Sequence, residues 1–227
     1  MTKILAIETS LRNGSVALAM DGAIVGSRVL PRETRSAQSL APAVKELLVE
    51  QDWKPADLDA VGVTIGPGSF TGVRVGVTFA KVFCYASGAS LLGLTTLEAI
   101  AAQATDVEGE IEVVLDAQRN DLFHQAFRIA DGGATALSEP RVLSAEGWFA
   151  QITASKNLAV TGVGLAKHRE MMPKVVRIVD ERFWEPSAET LALLTHKAFV
   201  SGRRDDVWKL APLYLRASAA EEKRTPT

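Results

Sequence analysis

The sequence predicts an α/β protein made of two copies of one βββαβαβα unit, and three observations carry that prediction. Near the N-terminus, runs rich in Val, Ile, Leu and Ala at 3–7, 15–20 and 23–29 read as strands, the last two joined by Asp21-Gly22, a favoured two-residue hairpin turn. Behind them, apolar strands alternate with segments of helical period, the pattern of parallel βα units. From Ile111 the same order of elements begins again.

In order, a helix is expected from about Ser36 or Ser39 to Glu50, because Leu40, Val44, Leu47 and Leu48 share one face, and Pro42 then falls near its first turns. Asp59–Ile65 reads as a buried strand, which Gly66-Pro67-Gly68-Ser69-Phe70-Thr71-Gly72 turns into a second helix running to about Ala86. Leu91–Leu94 is a strand and Thr96–Ala104 a helix. In the second copy Glu112–Asp116, Leu122–Ile129 and Ala134–Leu137 are strands, the last two divided by Asp131-Gly132-Gly133. A helix Ser144–Thr153, a strand Leu158–Thr161, a short helix Leu165–Met171, a strand Val175–Val179 and a helix Ser187–Val200 complete it. The implied domains are 1–107 and 108–216, hinged at the acidic stretch Thr105–Glu110 and followed by a frayed polar tail, 217–227. No residue-level repeat accompanies the repeated order.

Of the 227 residues 47% are apolar, enough for one large core or two small ones. With 25 Lys+Arg against 27 Asp+Glu, the net charge of −2 lacks the basic footprint of a chain that grips nucleic acid by itself. The single cysteine, Cys84, cannot form an internal disulfide, and Met1-Thr2-Lys3 leads straight into Ile4 without the features of a signal peptide. The longest weakly polar stretch, Val82–Leu97, falls short of the ~20 apolar residues that span a bilayer. A cytoplasmic protein without a membrane role is expected.

The most informative segment is Gly66–Gly76. A glycine-rich turn from strand to helix can present backbone N–H groups to a phosphate, yet this one lacks the Gly-Lys-Ser/Thr of a Walker loop and has Thr71 at the third glycine of G-x-G-x-x-G. Pro67 likewise breaks the G-x-S-x-G elbow around Ser69. Gly68, Gly72, Gly76 and Ala80 recur every four residues and leave one helix face almost bare. Glycine inside a helix costs roughly 1 kcal/mol relative to alanine, so close packing has to compensate. Three readings stay open: a helix of another subunit, packing within the chain, and a ligand. Arg74 and Lys81 flank that face, either as interface cations or as solvated surface.

Glu8-Thr9-Ser10 and Asp116-Ala117-Gln118-Arg119 sit where paired phosphotransferase domains place carboxylates and hydroxyls around magnesium and phosphate, although capped hairpin turns favour the same residue types. His124, His168 and His196 form no i, i+4 pair, and no metal site is expected. Cys84, between Phe83 and Tyr85 in an apolar helix, reads as a packed or interface thiol rather than a nucleophile. Trp148, Phe149, Trp184 and Trp208 are expected in the core or half-buried.

Ile4-Leu5-Ala6-Ile7-Glu8-Thr9-Ser10, the GPGSFTGVRVG run of Gly66–Gly76, Asp116-Ala117-Gln118-Arg119 and Pro212-Leu213-Tyr214-Leu215-Arg216 together resemble the TsaB (YeaZ) family, the accessory subunit of the bacterial machinery that makes threonylcarbamoyladenosine at position 37 of tRNA. The resemblance covers nearly the whole chain, and the glycine run is its specific part. It implies the actin-like ATPase fold and a non-catalytic dimerisation subunit that pairs with and activates the catalytic paralogue TsaD through the helices matching Gln38–Glu50 and Thr71–Ala86. A TsaE-type ATPase then joins the pair. On those helices the implied contact residues are Leu40, Val44, Ser69, Phe70, Thr71, Gly72, Val73, Arg74, Gly76, Val77, Ala80, Lys81 and Cys84.

The H-x-x-x-H metal pair of catalytic relatives falls on Thr96 and Ile100, which cannot hold a metal. No catalytic residue and no cofactor are therefore expected on the isolated chain. ATP and magnesium belong to the partners, and Glu8, Thr9, Ser10, Gly66, Gly68, Asp116, Arg119, Gly162 and Gly164 form a vestigial nucleotide cleft. A homodimer is expected when the partner is absent, with tRNA met only indirectly. Two departures from the family pattern stand out: Arg35 where many members have His, and Gln118-Arg119-Asn120-Asp121 where a basic-then-glycine run is usual. The rival functions are a small actin-fold ATPase or phosphotransferase using Glu8, Thr9, Asp116 and the glycine loops Gly66–Gly68 and Gly162–Gly164, and a glycoprotease-type peptidase, for which the sequence offers no triad, dyad or metal pair.

Overall fold

The computed structural model describes residues 1–31, 36–153, 155 and 157–216; the expected tail at 217–227 and the departure at Arg35 lie outside them. Strands β1 (Lys3–Glu8), β2 (Ser15–Met20) and β3 (Ala23–Val29) form the expected meander, with Asp21 and Gly22 both left-handed (φ 49° and 80°) as a tight hairpin requires. Helix α1 (Ser36–Glu50), strand β4 (Ala60–Thr64), helix α2 (Phe70–Ser87), strand β5 (Ser90–Leu94) and helix α3 (Thr96–Ala101) follow. The sheet runs β3-β2-β1-β4-β5, antiparallel at β1, β2 and β3 and parallel from β1 to β5.

The second copy holds β6 (Gly109–Asp116), β7 (Asp121–Ala130), β8 (Gly133–Ala136), helix α4 (Ala145–Thr153), β10 (Ala159–Thr161) and β11 (Arg177–Ile178), with an unforeseen strand β9 (Arg141–Ser144) paired to β7. Its sheet order, β8-β7-β6-β10-β11, repeats the 3-2-1-4-5 order of the first sheet, so the duplicated architecture expected of the actin-like fold is the one observed. The short helix at Leu165–Met171 is instead two 3₁₀ turns, Val163–Lys167 and Arg169–Met171.

Strand β1 is buried on both faces, which its near-continuous apolar run dictates. Leu5 and Ile7 point to a core shared with Leu40, Val44 and Leu47 of α1 and Val73 and Val77 of α2. Ile4 and Ala6, with Ala17, Ala19 and Ala60, form a face of small side chains on the other side. Helix α5 (Ala188–Val200), N-capped by Ser187, lays Ala188, Leu191 and Ala192 on that face. It comes so close that a Cβ on Gly62 would stand 1.8 Å from Thr195 Oγ1.

The expected boundaries are corrected accordingly. Residues 1–99 and 185–212 form one unit, and 100–184 with the final segment from Leu213 form the other. The element order assigned α5 to the second copy, but its small-residue stripe fits the alanine-lined face of the first sheet. The second unit's core gathers Val114, Leu122, Trp148, Ile152, Val160 and Trp184. Trp148 and Trp184 are therefore core residues and Phe149 is half-buried, as expected, whereas Trp208 is 74% exposed.

Candidate functional site

Helix α2 starts where Ser69, in extended conformation, accepts a hydrogen bond from Gly72 N through Oγ, and ends at Gly88, whose φ of 81° and N–H donation to Cys84 O make a left-handed cap. Its inner side is Gly72, Val73, Gly76, Val77, Ala80 and Cys84, all buried. Its outer side is Thr71, Arg74, Thr78, Val82 and Tyr85, all exposed, with the Arg74 guanidinium 3.8 Å above the Phe70 ring. The glycine face is thus turned inward, which decides among the three readings left by the sequence. A Cβ on Gly72 would lie 2.1 Å from Thr9 O, one on Gly76 2.2 Å from Thr9 Oγ1, and one on Gly68 2.2 Å from Ser10 O.

This placement corrects much of the expected contact set. Leu40, Val44, Gly72, Val73, Gly76, Val77, Ala80 and Cys84 are buried inside their own unit; Ser69, Thr71 and Arg74 are exposed, and Phe70 and Lys81 are half-buried. Lys81 Nζ donates to Trp208 O (3.2 Å) and Leu210 O (2.9 Å), strapping the segment after α5 across α2. Asp206 Oδ1 accepts from Trp208 N at 2.7 Å, and the Trp208 ring meets Tyr85 edge-on at 5.5 Å. Val82 (63% exposed), Tyr85 (72%) and Trp208 form the apolar part of this surface. Beside α2, the outer side of α1 presents a shallow groove of Ala41, Pro42 and Val49 edged by Lys45, Glu46 and Glu50. The spacing of residues 71, 74, 78, 82 and 85 was the signal for the outer stripe of α2; the sequence reading followed the glycines instead.

Glu8, Thr9 and Ser10, where β1 runs into its turn, are fully buried. Glu8 Oε1 accepts from Ser10 N (2.6 Å), Ser10 Oγ (2.7 Å) and Leu11 N (3.3 Å). Glu8 Oε2 has no hydrogen-bond partner among the described residues. Burial pushes the Glu8 carboxyl above the ordinary glutamate range, outweighing the Ser10 hydroxyl; Thr64 on the neighbouring strand softens the effect, although its Oγ1 does not reach hydrogen-bonding geometry. Two of the backbone N–H groups that a phosphate could meet on the glycine turn are engaged within the chain: Ser69 N donates to Ser10 O at 2.6 Å and Gly72 N to Ser69 Oγ at 3.2 Å. Gly66 O accepts from Thr96 N at 2.9 Å.

In the second unit Asp116 Oδ1 accepts from Gln118 N at 2.9 Å, and Oδ2 pairs with Lys167. Burial works against ionisation here, but the hydrogen bond and charge of Lys167 prevail and hold Asp116 below the ordinary aspartate range. Gln118, Arg119 and Asn120 are all left-handed, with φ of 63°, 52° and 64°. Asparagine tolerates that conformation better than most residues, which suits Asn120 to its place in the turn. Arg216 donates to Ala117 O at 2.9 Å and pairs with Asp121 at 3.1 Å, so the late PLYLR segment anchors this loop. Gly162 and Gly164 bring the first 3₁₀ turn against β6: a Cβ on Gly162, whose φ is 107°, would lie 2.2 Å from Val114 O.

No group of three or more His, Cys, Asp or Glu residues able to hold a metal occurs among the described residues. His124 lies between Glu112, 3.0 Å from Nδ1, and Arg141, whose Nε donates to Nε2 at 2.8 Å; Nδ1 therefore carries the proton that goes to Glu112. His168 packs against the Phe149 ring, and His196 against Gly22. Thr96 and Ile100 are fully buried. Burial pushes the Cys84 thiol up to about 12, which leaves it un-ionised at neutral pH and inert as a nucleophile. Among the described residues no helix is long and apolar enough to cross a membrane.

The family model described as TsaD, tRNA N6-adenosine threonylcarbamoyltransferase, matches residues 28–224. The tRNA threonylcarbamoyladenosine biosynthesis protein TsaB of Bacillus subtilis is 28% identical over 97% of this chain and 96% of its own length. Its namesake in Escherichia coli is 27% identical over 97% of each chain. The solved structure of YeaZ from Pseudomonas aeruginosa superposes with a TM-score of 0.79 at 26% identity, covering 95% of this chain and 100% of that one.

Proposed function

Since the chain belongs to the TsaD family and to its TsaB (YeaZ) branch, with a role in tRNA threonylcarbamoyladenosine biosynthesis, we propose that it serves there as a non-catalytic subunit pairing with a TsaD-type catalytic paralogue through the outer faces of α1 and α2. The observation that carries this reading is the exposed apolar surface of Val82 and Tyr85, on the very helix whose glycines point inward, extended by Trp208 packed edge-on against Tyr85. Aromatic side chains held in place at a surface are the usual anchors of protein interfaces. The burial of Glu8 and the un-ionised thiol of Cys84 support a reading in which the chemistry lies with the partner. A TsaE-type ATPase joining the pair, ATP and magnesium handled by those partners, self-pairing when the paralogue is absent, indirect contact with tRNA and a cytoplasmic location belong to the same proposal.

The test is native mass and titration of this chain with the catalytic paralogue of the same organism. A one-to-one complex is expected. Val82→Glu should weaken it about tenfold or more, because a charge buried without a partner in an interface is costly. Its thermal midpoint should stay near that of the wild type, since exposed substitutions cost within about 0.5 kcal/mol. Wild-type affinity in Val82→Glu would remove this face from the interface. Failure of the wild type to pair, together with tight magnesium-ATP binding by the isolated chain, would favour the phosphotransferase reading.

A further inference from the structure

The inner face of α2 rests on the turn after β1, and Thr9 supplies the one side chain that enters its glycine notch. Thr9, fully buried, donates its hydroxyl to Gly72 O at 2.8 Å, and its carbonyl and Oγ1 occupy the places where side chains on Gly72 and Gly76 would begin. These glycines lie one turn apart, so together they form a notch, and Thr9 is the knob that fills it. Ser10 repeats the arrangement one step earlier, against Gly68 and Ser69 N. β-branched Thr9 has a stiff χ1, so the knob keeps one shape. A helix bearing alanines at these positions would have to stand farther from β1, and one without the knob could slide or turn about its own axis.

We propose that Thr9 is a positioning residue for partner binding: it fixes the height and rotation of α2, and thereby the presentation of Thr71, Arg74, Thr78, Val82 and Tyr85 to the other subunit. This inference rests on the pairing function proposed above and adds its structural control. Thr9 touches no partner itself. Its effect passes through α2, and the specific glycine run of the sequence is a socket for the turn after β1 rather than a cradle for phosphate.

The test is the affinity of purified full-length variants for the catalytic paralogue, measured where each variant is shown by denaturation to be fully folded. Thr9→Ala should weaken pairing about tenfold, while Thr9→Ser, which keeps the hydroxyl bond to Gly72, should stay within about threefold of the wild type. The double variant Thr9→Ala/Gly76→Ala should recover part of the loss, because the new Cβ enters the space that Oγ1 vacates. A purely structural Thr9 would change the unfolding midpoint without changing the affinity of the folded chain, and that result overturns the inference. Equal losses in Thr9→Ala and Thr9→Ser, without recovery in the double variant, overturn it as well. Should Thr9→Ala not fold, Thr9→Val, which keeps the volume and deletes the hydroxyl, is held to the same threshold. If the wild type does not pair, the proposed function falls and takes this inference with it; if only the variants bind like the wild type, the inference alone falls.

Discussion

Gly72→Ala should destabilise the protein by about 3 kcal/mol or more, read as a lowered denaturation midpoint. On an open helix face the same change would stabilise by up to about 1 kcal/mol, because alanine is the better helix former. The two situations predict opposite signs. Here the new Cβ would meet Thr9 O at 2.1 Å, a distance no real contact reaches, and the atom it meets belongs to backbone. That backbone is pinned: Thr9 is bonded to Gly72 O, Ser10 O accepts from Ser69 N, and Glu8 holds Ser10 and Leu11. Relief would require moving α2 or breaking the turn, either of which disturbs the core around Val73 and Val77. A midpoint at or above that of the wild type would mean that the glycine face is not packed against the turn.

Glu8→Gln should gain stability relative to the wild type as pH rises from 5 to 8, by up to about 1.4 kcal/mol per pH unit for the one proton concerned. Burial raises the folded-state pKa of Glu8 above its unfolded value. The folded protein therefore holds this proton more tightly than the unfolded chain does. Its contribution to stability is complete below the ordinary glutamate range and is lost as pH rises through the folded-state value. Glutamine keeps an oxygen for Ser10 N, Ser10 Oγ and Leu11 N and cannot ionise. The measurement is chemical denaturation of both proteins across that pH range. A difference that is flat with pH would refute a raised Glu8 pKa in the folded protein.

The meander, the two βα crossovers and the position of α2 were legible because each rests on local pattern: the Asp21-Gly22 turn, the apolar run at Ala60–Thr64 and the Ser69 cap that follows. What was not legible depends on residues far apart in sequence. The four-residue spacing of Gly72 and Gly76 demands a close neighbour but cannot say which, and Thr9 lies more than sixty positions away. The stripe of α5 likewise calls for a flat sheet face, and two such sheets were available. The surface at Trp208 eluded the reading for a similar reason, since Lys81 secures it from a helix that precedes it by 127 residues. Leu40 and Val44 were read correctly as one helical face. The error was to expect that face outside, when the core beneath β1 and β2 claims it.

The return of α5 to the first sheet also fixes an order of events during translation. Ala6, Ala17, Ala60 and Leu92 leave the ribosome early, but the helix that covers them ends at Val200. Until then the nascent chain carries one apolar sheet face with no lid, through the whole synthesis of residues 100–184. Domains usually complete themselves from the N-terminus as they emerge. In this protein the unit synthesised first waits for its last helix, and the other unit receives its final segment later still.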